Sequence, residues 1–106
     1  MKNAEEFLES AEENFKKERY NACVSDYFKA IVILADYLIY GEIKRVPKNH
    51  NERFYLLKRY FGDVYGRVSV LFKTYTESYN LRLGIKDAKE VRKYAEEFKD
   101  YIDGKK

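Results

Sequence analysis

At 106 residues the chain has the length of one domain, with enough material for one hydrophobic core and too little for two. Its residues are 45% hydrophobic and 37% charged, too apolar for a disordered chain and too charged for an integral membrane protein. A formal net charge of +3 and a pI near 8.8 permit contact with nucleic acid but fall short of a dedicated DNA-binding domain.

The opening MKNAEEFLES carries acids where a signal peptide has its apolar stretch, so a cytoplasmic location is expected. Asn3 followed by Glu6 reads as a capping box. Ala4, Phe7, Leu8, Ala11 and Phe15 then recur at helical spacing, which predicts a first helix to about Lys17. The acids Glu5, Glu6, Glu9, Glu12 and Glu13 lie opposite that stripe and read as a solvated face. Tyr20, Val24, Tyr27, Phe28, Ile31, Leu34, Ala35 and Leu38 continue the period on a wider face, as a central bundle helix needs, and Gly41 is expected to end it. The apolar stretch within it, 30–40, is interrupted by Asp36 and is shorter than the roughly 20 residues that cross a bilayer, so no membrane span is expected. Cys23 stands alone, which excludes an internal disulfide and a multi-cysteine zinc site and marks it as a small buried hydrophobe. Asp26 and Asp36 are expected at the helix's exposed edge or in ion pairs, because an uncompensated buried charge is costly.

The segment 41–49 (GEIKRVPKN) holds the single proline, which lacks an amide donor and restricts Val46, and is expected to be the longest loop. Asn49 or Asn51 can cap a short third helix through Phe54, Leu56, Leu57, Tyr60 and Phe61 that closes at Gly62. Asp63 is expected to cap a fourth, with Val64, Tyr65, Val68, Leu71, Phe72, Tyr75 and Tyr79 as its stripe and Gly66 at a close helix crossing. After a turn at Gly84, the residues Ala88, Val91, Ala95, Phe98 and Ile102 predict a fifth helix, followed by a frayed GKK tail. The fold class is therefore all-α: an up-and-down helical bundle of four to five helices, in one domain over residues 1–106.

Chemistry-bearing motifs are sparse. With His50 the sole histidine, a two-histidine metal site is impossible, and no glycine-rich phosphate loop or nucleophile elbow occurs, so no metal or cofactor is expected. Basic residues gather around the proline loop: Lys44, Arg45, Lys48, His50, Arg53, Lys58 and Arg59. Arginine can clamp phosphate in bidentate fashion, and Tyr55 and Tyr60 offer rings to bases, so this patch is the best local functional signal. The eleven tyrosines, with no tryptophan, suit core edges and interfaces where the ring is buried and the hydroxyl stays wet.

Residues 20–31 (YNACVSDYFKAI) resemble a helix of the HEPN family that reads roughly Y-x-A-A-V-S-R-A-Y-Y-A-x-F. The segment 46–52 (VPKNHNE) is similar to that family's Pro-Lys-Thr-His loop, and Tyr60-Phe61 occupy the ending of the short helix that follows it. The stretch from Asp87-Ala88 to Phe98 is similar to the family's closing helix. The resemblance implies a bundle of four or five helices, commonly a homodimer, found as ribonuclease toxins or as partners of small nucleotidyltransferases in prokaryotic toxin-antitoxin and defence systems.

Ribonuclease members carry an Arg followed a few residues later by a His. Here no histidine follows His50, so Arg67, Arg82 and Arg92 lack the downstream partner. The family's R-x-x-A-D-Y pattern is also altered, with Thr74 in the Arg position and Ser78-Tyr79 in place of Asp-Tyr. The expected function is thus a non-catalytic module binding nucleotide, RNA or a nucleotidyltransferase partner, with Lys48, His50, Arg53 and Arg82 as contacts. Two alternatives stand beside it: a ribonuclease using an atypical Arg with His50, and a dimerisation protein without a ligand.

Overall fold

A computed structural model of the protein describes residues 2–104. Among them it shows five helices and no strands: α1 (Lys2–Lys16), α2 (Tyr20–Ile43), α3 (His50–Tyr60), α4 (Gly62–Glu77) and α5 (Ile85–Asp103). The long apolar α2 lies at the centre of this helical bundle, packed chiefly against α1 and α5 and also against the α3–α4 pair. No helix among the described residues is long and apolar enough to cross a membrane.

One cluster of buried side chains runs through the bundle. It takes Cys23, Phe28, Ile31 and Leu34 from α2, Ala4 and Ala11 from α1, Leu57 from α3, Val68 from α4, and Val91, Ala95, Phe98 and Ile102 from α5. Cys23 is fully buried, as its apolar neighbours in sequence suggest, and burial pushes its thiol up to about 12, leaving it inert. The small residues Ala4, Ala11, Ala30, Ala35, Ala88 and Ala95 are all at 1% exposure or less, which lets helix backbones approach where larger side chains would hold them apart.

Polar ties fix the helices around that core. Asp26 accepts hydrogen bonds from Ser10 (2.7 Å) and Asn14 (2.9 Å), which pairs α2 to α1. Glu12 departs from the solvated face expected for it. Its carboxylate accepts from the Tyr27 hydroxyl and takes a two-point contact from Arg92 (2.7 and 3.1 Å), joining α1, α2 and α5. Burial pushes the Glu12 carboxyl up, but the Tyr27 and Arg92 contacts outweigh it and hold the group below its ordinary value. Glu5, Glu6, Glu9 and Glu13 are exposed, as expected.

Several boundaries differ from the sequence expectation. α1 begins before Asn3, which therefore lies inside the first turn instead of capping it. α2 runs through Gly41 to Ile43 and closes on Lys44 in the left-handed region (φ 60°), so glycine was the wrong marker for this end. α4 starts at Gly62, placing Asp63 in its first turn rather than at its cap. The connection at 78–84 is one residue longer than the one at 44–49, which shifts the longest loop to the α4–α5 link. Gly66 is exposed and a Cβ there would meet no atom within 4 Å, so no close crossing requires it. Of the expected frayed GKK tail, Gly104 continues from α5 with its amide donating to the Asp100 carbonyl at 3.0 Å, and 105–106 lie outside the described residues.

Candidate binding site

The proline loop delivers α3 in a fixed orientation. Pro47 is buried, and Asn49, with extended backbone, caps the helix by accepting from the Glu52 amide at 2.9 Å. His50 and Arg53 then fall one turn apart on the same helix face, turned toward α2. Arg53 is 8% exposed, and its guanidinium donates from Nε to Asp36 Oδ1 (2.6 Å) and from Nη2 to Oδ2 (2.9 Å). Asp36 is thus paired, one of the two roles expected for it, and its partner lies on α3.

The third arm of Arg53 defines the state of His50. Nη1 contacts His50 Nδ1 at 2.8 Å, and because a guanidinium only donates, Nδ1 must accept. The imidazole is therefore neutral with its proton on Nε2, which makes no hydrogen bond among the described residues. Desolvation is the first cause that holds the His50 pKa below its ordinary value, and the Arg53 charge adds to it, with Asp36 opposing. His50 is consequently an uncharged hydrogen-bond donor at neutral pH.

Aromatic packing holds this corner. His50 lies 5.1 Å from the Phe72 ring, Phe72 meets Phe54 edge-on at 5.1 Å, and Phe28 stacks on Tyr75 at 4.7 Å, linking α2, α3 and α4. Beside it opens a cavity of about 440 Å³ lined by Phe7, Phe28, Lys29, Val32, Ile33, Asn49, His50, Arg53 and Tyr75.

Of the four site residues read from the sequence, the structure brings His50 and Arg53 together at this cavity. Lys48 is exposed on the loop just before α3, where its backbone amide contacts Glu52 at 3.3 Å, and it does not line the cavity. Arg82 lines a separate cleft of about 1040 Å³ between the N-terminus of α2 and the 78–84 connection. The rest of the basic patch is dispersed: Arg45 pairs with Glu52, while Lys44, Lys58 and Arg59 lie over the rings of Tyr40, Tyr65 and Tyr60. Sequence reasoning missed Lys29, Phe7 and Tyr75 as cavity residues, since each reads as an ordinary position on its own helix. No group of three or more His, Cys, Asp or Glu side chains among the described residues is placed to hold a metal ion.

The family model of the HEPN domain matches residues 1–105. No curated protein and no solved structure matches the chain.

Proposed function

Since the chain belongs to the HEPN domain family, we propose that it is a non-catalytic member, binding nucleotide or RNA at the groove beside His50 and serving as a homodimeric partner of a nucleotidyltransferase in a toxin-antitoxin or defence system. The observation that carries the non-catalytic reading is the state of the single histidine. His50 Nδ1 is occupied by Arg53, whose guanidinium is itself held by Asp36, so His50 takes up a proton at Nδ1 only by losing that contact, and Arg53 is not free to clamp a transition-state phosphate. The missing Arg-then-His order supports the same reading.

A groove with a neutral donor, four aromatic rings and flanking cations suits recognition without turnover. Lys48 beside the groove and Arg82 in the neighbouring cleft are cations that a longer RNA could reach. For the dimer, the supporting feature is the exposed tyrosines near the C-terminal ends of α2 and α5: Tyr37, Tyr40 and Tyr101 are each more than 40% exposed.

The test is a low-salt titration of the purified chain with nucleotides and single-stranded RNA, alongside an RNA cleavage assay. Saturable binding with intact RNA is the expected result. Cleavage that His50→Ala abolishes would favour the ribonuclease alternative.

A further inference from the structure

The cavity beside His50 is more selective in its chemistry than an anion patch. Its volume, about 440 Å³, falls at the lower end of the roughly 300–1,000 Å³ typical of small-molecule sites. No carboxylate lines it. One wall is aliphatic, from Val32 and Ile33, and the rings of Phe7, Phe28, His50 and Tyr75 supply flat surface.

The polar groups around this apolar lining are few and each has a defined state. Asn49 spends its side-chain oxygen on the α3 cap. Arg53 has its charge balanced by Asp36 and its third arm on His50. The Tyr75 hydroxyl is engaged by that of Tyr79 at 2.6 Å. That leaves the Asn49 side-chain NH2 at the rim, His50 Nε2–H, neutral and unbonded, and the ammonium of Lys29, which lies 5.7 Å from the Phe7 ring centroid and takes part in none of the ion pairs among the described residues. A ligand that satisfies all of these needs a planar ring, an acceptor atom on that ring, and an anion a short reach away.

We infer that the cavity takes one nucleotide unit, its base against the Tyr75 and Phe7 rings accepting a hydrogen bond from His50 Nε2–H, and its phosphate on Lys29. This rests on the proposed binding function and specifies it: the base is the primary determinant, the phosphate an addition, and Lys29 a contact residue that the sequence did not mark. The unit is either a free mononucleotide or the end of an RNA chain, which share this chemistry.

The test uses the full chain at low salt, with calorimetry for affinity and the His50 ring resonances for location. Probes are adenosine monophosphate, adenosine, ribose 5-phosphate and a short 5′-phosphorylated oligoadenylate. Adenosine monophosphate is expected to saturate and shift the His50 signals, adenosine to bind about fivefold more weakly, and ribose 5-phosphate not to saturate. Lys29→Ala is expected to reduce the monophosphate to the adenosine level, leave adenosine unchanged and regain affinity as Lys29→Arg, with circular dichroism reporting that each variant is folded. Binding of the oligonucleotide but not the monophosphate, with shifted His50 signals, would assign the unit to an RNA end. Equal binding of ribose 5-phosphate and the monophosphate, or an inert Lys29→Ala, would overturn the inference. If RNA binds with His50 unmoved, this cavity is excluded while the binding function survives. If no probe binds, both fail.

Discussion

Protonating His50 would place a second N–H on its ring, facing the Arg53 guanidinium across 2.8 Å. The folded state therefore resists that proton, and the folded pKa lies below the unfolded value of about 6.5. For a group with a depressed folded pKa, the unfolded chain binds more protons in the window between the two values. The contribution to stability is full above about pH 6.5 and is lost as pH falls through the folded pKa. A proton-detected titration of the His50 ring should give a midpoint below 6.5. Asp36→Asn should lower it further, because Asp36 is the group that opposes the shift.

The same trio sets a second residue-scale prediction. Asp36→Ala strands the guanidinium of Arg53, a residue only 8% exposed, and should destabilise the fold by about 3 kcal/mol, the low end for breaking a buried pair because Asp36 retains some solvent. Urea denaturation measures it, and a loss under 1 kcal/mol would mean that the pair is screened like a surface one. The sequence marked Asp36 as a charge to be placed at an exposed edge or in an ion pair, since it stands in an apolar helix. It could not name Arg53, seventeen residues on and across a loop, and Arg53 read more naturally as a phosphate clamp. The neutral tautomer of His50 was likewise invisible, because it follows from a three-way contact and not from any residue type.

At the scale of the helices, the apolar periodicity was sufficient to locate all five, because each buries one stripe against α2 or its neighbours. The ends were harder to read. Glu18 and Lys44 adopt left-handed backbone (φ 58° and 60°) with no glycine to mark them, while Gly41 and Gly66 sit inside helices. Gly66→Ala should therefore stabilise the chain by about 1 kcal/mol, since the new methyl group meets open space and the helix loses a flexible residue. A raised thermal midpoint is the expected readout, and a lowered one would mean that Gly66 faces something after all.

The α4–α5 connection depends on one side chain. Asn21 donates to the carbonyls of Ser78 (2.9 Å) and Leu81 (2.7 Å) and accepts from the Leu83 amide (2.8 Å), pinning a seven-residue loop to the first turn of α2. Asn21→Ala should cost about 1–3 kcal/mol and release the Leu83 amide to hydrogen exchange. Unchanged protection at Leu83 would show that the loop is held by its apolar contacts instead. The sequence offered no sign of this clamp, since an asparagine at the start of a helix reads as local capping.

Across the whole molecule, family and fold were legible because they depend on the order of segments: an aromatic and small-residue central helix, a proline loop bearing His50, and a closing amphipathic helix. The site was legible only in part. The loop's basic residues drew attention to the right corner, but most of their charge is spent on Glu52, Asp36 and neighbouring rings, and the cavity is completed by Phe7 and Lys29 from other helices. The proposal of non-catalytic binding rests on that completed arrangement: a neutral histidine held in place, beside an apolar cavity with Lys29, which takes part in none of the ion pairs among the described residues.

The central claim is tested most directly by incubating the purified chain with single-stranded RNA at low salt, reading complex formation and chain integrity in the same sample. Saturable binding with the RNA intact, and with the His50 resonances shifted, is the predicted result. RNA cut by the wild-type chain and spared by His50→Ala would contradict it.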